Sequence, residues 1–357
     1  MDEAPQSLDS LRERIGQIDL DLVAKAAERV ELARQVGELK RRQDLPTVDY
    51  SQERLVMERA RAAAQARGLR PEVAEELLSG LIRASVRAQD DDGLRYAGVG
   101  TGQTAVVVGG AGRMGRWLSS FLSAQGYTTR VLDPAASADS NAKAVRSLPQ
   151  AELVVCSTPP AATAALYSEW CANPPSGVVV DIASIKTPLV EPIARLRRAG
   201  ARVASIHPMF GPSTFLLRDA DVVICDTGDE AAGAAVESLF QPTTANIVHL
   251  PLDDHDRIMA DLLSLAHATA IAFALALPDT GHPVRSTTFR LLESLAASTV
   301  RESPEVYFEI QASNPHSAQA LERLRAALDR LVDTIRLRDP HEFRLLFDEG
   351  RRRTPSG

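Results

Sequence analysis

Apolar positions in residues 6–91 recur at spacings of three and four. Leu8, Leu11, Ile15, Ile18 and Leu22 open the stripe, and Val30, Ala33, Val36 and Leu39 continue it. That is the period of one helical face. The pattern predicts a first helix of about 36 residues, or ~54 Å at 1.5 Å per residue. Ser7 or Asp9 caps its start and Pro46 ends the segment. Two further helices are predicted near 51–67 and 71–91, separated at Gly68 and Pro71. Three helices cannot cover so long a stripe, so a second copy of the chain is expected against it.

Residues 92–103 (DGLRYAGVGTGQ) lose the period and read as a glycine-rich linker. Short apolar runs then alternate with helical stretches. TAVVV (104–108), TTRVLD (128–133), ELVVCS (152–157), VVVDIAS (178–184) and ARVASIH (201–207) are predicted strands. Strands alternating with helices imply a parallel sheet covered on both faces. After about residue 246 the strands are expected to stop. Residues 256–277, 286–300, 304–312, 316–336 and 340–352 read as helices divided by prolines. The organisation expected is a helical domain (1–91), a linker (92–103), an α/β domain (104–246) and a C-terminal all-α domain (247–357).

Gly110, Gly112 and Gly115 fall between the first predicted strand and the helix at 113–125. A GxGxxG in that context is the dinucleotide-binding pattern of a Rossmann fold, with phosphates at the helix N-terminus. The first glycine is expected to make the tight turn, the second to admit the pyrophosphate and the third to let helix pack on strand. Arg113 and Met114 complete the loop. Asp133, at the end of the second strand, suits ribose hydroxyls and repels a 2′-phosphate, which favours NAD over NADP. Arg130 is expected to point away from it by strand alternation. Ser157, at the end of the third strand, is a further cofactor-side candidate.

The composition adds exclusions. The 357 residues are 45% hydrophobic and 24% charged, with a net charge of −7. Such a balance offers no general attraction to nucleic acid or to an anionic membrane. Cys156, Cys171 and Cys225 are too few and too scattered for a disulfide framework or a metal cluster. No signal-peptide core and no uninterrupted membrane-length apolar run is present, so a cytoplasmic protein is expected.

His207 ends a predicted strand and begins HPMFGP, a rigid turn. Strand C-termini face the ligand crevice in doubly wound sheets. A neutral imidazole there suits proton abstraction. DIASIK places Ser184, which could orient His207, and Lys186, which could meet a substrate carboxylate, at another strand end.

GGAGRMG, CSTP, DIASIK and SIHPMFGP, in this order, resemble the prephenate dehydrogenase family over about 104–350. The N-terminal segment resembles the helical class of chorismate mutases. Together the order resembles the bifunctional chorismate mutase–prephenate dehydrogenases of bacterial tyrosine synthesis. That resemblance implies rearrangement of chorismate to prephenate, then NAD-dependent oxidative decarboxylation to 4-hydroxyphenylpyruvate, in a homodimer. It implies that Lys40 and Gln89 bind the ether oxygen, that Arg12, Arg29 and Ser85 bind carboxylates, and that Asp49 and Glu53 lie near the ring hydroxyl. Arg29 and Lys40 are about 20° apart on one helical face, whereas Arg12 falls roughly 100° away; in the family that first-helix arginine reaches the partner's site. Arg290 matches an arginine that pairs with a substrate carboxylate, with Arg285 a second choice, and His267 a second histidine lining the site. His255, in DDHD, reads as a capping or interface residue.

Two positions depart from the family. Gln52 stands where arginine is common, and Pro160-Ala161 follows CSTP where a polar residue is frequent. These departures keep open a 4-amino-4-deoxychorismate and 4-amino-4-deoxyprephenate specificity. A further alternative is a helical dimerisation module without mutase activity. A general hydroxyacid or imine oxidoreductase is disfavoured by HPMFGP and the mutase pattern.

Overall fold

The computed structural model describes residues 7–43, 50–214, 217, 220–279, 281 and 284–354, with the backbone alone at 50–53, 90–91 and 94–97. Its internal contacts divide the chain into two compact units. One comprises Met1–Val154, Met209–Val222 and Ala234–Ile247; the other Val155–Pro208, Val223–Gly233 and Val248–Gly357.

The first helix, α1 (Leu8–Arg42), starts at Ser7, whose hydroxyl accepts the Ser10 N–H at 3.1 Å. Ser7 is therefore the cap. Asp9 sits in the first turn, where its charge complements the helix dipole. The second and third helices are α2 (Tyr50–Gln65) and α3 (Pro71–Ala97). The last runs past the predicted end at 91 into the expected linker. Arg34 of α1 bonds Asp92 at 2.6 Å, tying that extension to the first helix. Both α1 and α2 pack on α3. At Gly37 a Cβ would stand 2.8 Å from Cγ of Gln89, so the absent side chain leaves room for Gln89 of α3 against α1. Leu8, Leu11, Ile15, Ile18, Leu22 and Leu39 remain exposed.

Next come β1 (Thr104–Val108), α4 (Arg113–Ala124), β2 (Thr128–Leu132), α5 (Ala138–Ser147) and β3 (Leu153–Cys156). They are followed by α6 (Pro160–Trp170), β4 (Val178–Asp181), α7 (Val190–Arg198) and β5 (Arg202–Pro208). The series ends with β6 (Asp221–Asp226), α8 (Glu230–Phe240) and β7 (Asn246–Pro251). The sheet has seven strands in the order β2-β1-β3-β4-β5-β6-β7. Pairing is parallel between β1 and β2 and between β4 and β5, where Asp181 lies opposite Ser205. All four residues of β3 and of β4 are buried, which is why they read as unbroken apolar runs. Two strands were not expected. The β6 strand is apolar, but it was not singled out although Gly228 turns the chain two residues after it. The terminal strand β7 is only half-buried, and its mixed pattern hides it, so strands continue to Pro251.

The remaining helices are α9 (Leu252–Met259), α10 (Ala266–Leu275), α11 (Thr287–Val300), α12 (Pro304–Ser313), α13 (Ser317–Leu337) and α14 (Pro340–Arg353). A π-helical turn, Ala260–Leu265, joins α9 to α10 without a break. The continuous helix Leu252–Leu275 reaches a mean hydropathy of 1.8 over its most apolar window. One helix among the described residues thus has the length and mean hydropathy of a membrane span, although Asp261, Ser264 and His267 interrupt its apolar run. Its π-helical turn packs on α12 and α13, and α10 packs on α11.

Candidate active sites

In the helical segment, side chains from α1 and α3 meet. Arg29 donates to the Ser85 hydroxyl at 2.5 Å and to the Leu81 carbonyl at 2.9 Å. Ser85 and Gln89 are buried on one face of α3, as their i,i+4 spacing requires. The Gln89 amide donates one N–H to the Ala33 carbonyl at 2.7 Å. An amide nitrogen carries two donors, so this bond aims the group while keeping a second donor for a ligand. Lys40 is half-buried. Arg12 is exposed on the first turns of α1 and lies 3.6 Å from Asp9, apart from the Arg29 cluster. Asp49 and the side chains of Gln52 and Glu53 lie outside the described residues.

The glycine loop follows β1. Gly109 adopts φ +77°, so the left-handed turn falls one residue before the predicted Gly110. At Gly110 a Cβ would stand 2.7 Å from Cγ1 of Val131, and at Gly115 it would overlap the Gly109 carbonyl and stand 2.6 Å from Cα of Gly110. Gly112 begins α4 and supplies no side-chain cap to its first-turn N–H groups. Asp133 accepts the Ala111 N–H at 3.0 Å and the Ala135 N–H at 2.8 Å, which fastens the loop to the end of β2. Arg113 and Arg130 are exposed and Met114 is half-buried. A helix N-terminus without a cap, approached closely by backbone and flanked by a carboxylate, fits a dinucleotide. Gly115→Ala is expected to cost about 1–3 kcal/mol by overpacking. Thermal unfolding and NAD titration check this; NAD affinity falls while chorismate rearrangement persists.

His207 ends β5 and is 4% exposed. Its Nδ1 lies 3.1 Å from Nε2 of His255, and Nδ1 of His255 lies 2.7 Å from Oδ1 of Asp256. Burial, then the neighbouring His255 and Lys186, hold the His207 pKa well below the ordinary histidine value, against the opposing pull of Asp256. Burial also lowers His255, although Asp256 opposes it. Burial raises the pKa of Asp256, but hydrogen bonds from His255, from the Thr187 hydroxyl and from the Lys186 and Thr187 N–H groups outweigh it, leaving it below the usual carboxylate range. Cys156 and Cys225 are buried, and burial pushes the Cys225 thiol up to about 12, so neither offers a thiolate.

Two expectations fail here. Lys186 is fully buried; its ammonium donates to Oδ1 of Asp181 at 2.6 Å and to the Ile206 carbonyl at 2.7 Å. It braces β4 against β5 instead of presenting a charge to a ligand. The orienting partner at Nδ1 of His207 is His255, not Ser184, which stays half-buried at the end of the β4 loop. Ser157 is half-buried after β3.

The residues missed by the sequence reading are His255 and Asp256. A usable signal was present, because His255, Asp256, Met259 and Ala260 form one buried helical face. The π-helical turn matters as well. Twelve positions from His255 to His267 would leave the two about 120° apart on a regular helix; one inserted residue reduces that to about 20°. His267 accordingly sits half-buried with its ring 4.4 Å from that of Tyr307, and its pKa is lowered by burial. Arg290 is exposed on the first turn of α11, and Arg285 lies 3.5 Å from Glu293.

Comparison with known proteins gives the same two parts. Residues 11–90 match the type II chorismate mutase family, and residues 131–249 match the nucleotide-binding domain of prephenate dehydrogenase. A T-protein of Enterobacter agglomerans is 27% identical over 347 residues, covering 96% of this chain and 91% of its own. The 4-amino-4-deoxyprephenate dehydrogenase of Streptomyces pristinaespiralis is 32% identical over 270 residues, covering 68% and 88% respectively. Prephenate dehydrogenase from A. aeolicus, solved with hydroxyphenyl propionate and NAD+, shares the fold with a TM-score of 0.56 at 18% identity, covering 70% of this chain and 96% of that one. The glycine loop and the buried histidine follow a mutase-type helical segment in a single chain, and the T-protein matches both parts together. The protein belongs to the bifunctional chorismate mutase–prephenate dehydrogenase family, with NAD as its cofactor.

Proposed function

We propose that each reaction is carried by the residues just described. In the mutase, no covalent catalyst is needed; the [3,3] rearrangement requires a held conformer and stabilised charge on the ether oxygen. Lys40 and the second Gln89 donor serve that oxygen. Arg29 and Ser85 hold one carboxylate. Arg12 belongs to the site of a second copy, a reading supported by its separation from Arg29 and by the exposed apolar stripe of α1. The C-terminal helices, which expose Leu291, Leu295, Phe308 and Leu337, are read as a further dimer surface. Three free thiols, two of them buried, suit a reducing, cytoplasmic setting.

In the dehydrogenase, NAD when bound supplies the hydride acceptor; Gly110, Gly112, Arg113, Met114, Gly115, Asp133 and Ser157 are its assigned neighbours. His207 takes the proton of the ring hydroxyl. Ser184 remains a candidate to contact that hydroxyl, and Arg290 and His267 to hold prephenate. Loss of the ring carboxylate as carbon dioxide makes the step irreversible. The observation that carries this reading is His207, buried, neutral and hydrogen-bonded at the end of β5. Lys40→Ala is expected to reduce chorismate consumption, measured without NAD, by about 10²–10³-fold, the cost of one charge-stabilising donor, while prephenate oxidation is kept. Unchanged consumption would remove Lys40 from the site, and a wild-type chain that consumes no chorismate without NAD would support a non-catalytic helical module.

A second reading replaces the ring hydroxyl with an amine. The 32% identity to the Streptomyces pristinaespiralis enzyme favours it. Paired kinetics on chorismate, prephenate and their 4-amino analogues decides between the two, and a large preference for prephenate excludes the amine.

A further inference from the structure

We propose that His255 and Asp256 are positioning residues that fix the tautomer of His207, with the proton on Nδ1 and the lone pair on Nε2. The inference rests on the reading of His207 as the base, and it specifies which nitrogen acts.

The assignment follows from donor and acceptor counting. Asp256 is surrounded by donors: the Lys186 N–H at 2.8 Å, the Thr187 N–H at 2.7 Å and the Thr187 hydroxyl at 2.6 Å. An ionised carboxylate accepts and does not donate. Nδ1 of His255, 2.7 Å from Oδ1 of Asp256, therefore carries a proton. In a neutral imidazole the other nitrogen is then an acceptor. Nε2 of His255 is that acceptor, and Nδ1 of His207, 3.1 Å away, must donate to it. His207 keeps Nε2 unprotonated. The opposite polarity would require His255 to hold protons on both nitrogens while fully buried, a charged state that burial disfavours.

The arrangement also prepares for the charge that forms. When Nε2 of His207 accepts the substrate proton, its ring becomes an imidazolium. Its Nδ1–H already points at an acceptor, and that acceptor is backed by an anion. The charges facing the pair come from several elements: Asp181 at the end of β4, Lys186 in the segment after it and Asp256 on α9. The ammonium of Lys186 is neutralised by Asp181, so Asp256 is the anion on the His255 side. Asp256 is itself fixed, because Asn314 of the α12–α13 junction donates to its backbone carbonyl at 2.7 Å.

Histidine-selective 15N correlation spectra of the full chain test the assignment directly and need no turnover. His207 is expected to show a protonated Nδ1 and an unprotonated Nε2, with a His207→Asn spectrum supplying the assignment. A protonated Nε2 in the wild-type protein overturns the proposal, whatever His207→Asn does to the rate. As a second measurement, His255→Phe removes the acceptor and keeps the bulk. Its dehydrogenase kcat is expected to fall about 10²-fold or more, since misassigned tautomers are costly in related relays. Chorismate rearrangement is expected to continue, and thermal unfolding close to that of the wild type reports that the unit holding His255 is folded. His255→Gln, whose amide can accept from His207 and donate towards Asp256, should recover part of that loss. A His255→Phe kcat within twofold of wild type also overturns the proposal.

Discussion

Replacing His207 with asparagine lowers the rate of prephenate oxidation by about 10²–10⁴-fold, the range assigned to a positioned general base. NAD affinity and chorismate rearrangement stay within twofold. The separation is expected because Arg29, Ser85 and Gln89 stand on α1 and α3 and the glycine loop joins β1 to α4, whereas His207 ends β5. Steady-state kinetics on both substrates and calorimetric NAD titration make the comparison. Unchanged oxidation would remove His207 from the reaction. The pH dependence of the wild type has a matching sign. With its pKa held well below 6.5 by burial, His207 stays unprotonated through neutral pH. The acid limb of the free-enzyme kcat/KM profile is therefore expected below the ordinary histidine value.

The second large effect concerns stability. Lys186→Met removes the partner of a carboxylate that is itself fully buried. Asp181 would keep only the Ala183 N–H at 3.1 Å, while its Oδ2 already has no protein partner. Breaking a buried pair from one side costs about 3–5 kcal/mol. Replacing both partners with apolar residues of similar volume is often neutral, so the double variant Asp181→Leu/Lys186→Met should recover most of the loss. Chemical denaturation of the single and double variants measures both. A single variant as stable as the wild type would mean that Lys186 is not structural, and would reopen its role towards substrate.

The contrast between Lys186 and His255 shows where sequence reading stops. Helical periodicity located α1, α2 and α3, and the C-terminal helices α11 to α14 fall within a residue or two of their expected ranges, because apolar period and proline position are local properties. The glycine loop was equally legible, since strand, turn and helix are contiguous. Lys186 and Ser184 were read from their place after a strand, which identifies the correct end of the element but not the direction of a side chain. Lys186 turns inwards because Asp181, five residues earlier on the same strand end, offers a buried counter-charge. His255 was passed over because DDHD at a helix start is the usual dress of an exposed first turn. Its partner is 48 positions away, and no local period encodes that meeting.

The π-helical turn between α9 and α10 gives the chain an additional constraint. The phase of His267 relative to His255 is set by the count of residues between them together with the π-helical turn that absorbs one of them. A point substitution within Ala260–Leu265 alters packing but cannot alter that count. Loss of a single residue there would let the turn relax to regular helix and still leave His267 about 20° from His255, whereas regularising with all twelve positions kept would swing it by about 100°. In this stretch the alignment of the two histidines therefore survives loss of the extra residue and depends on the π-helical turn being held while that residue is present.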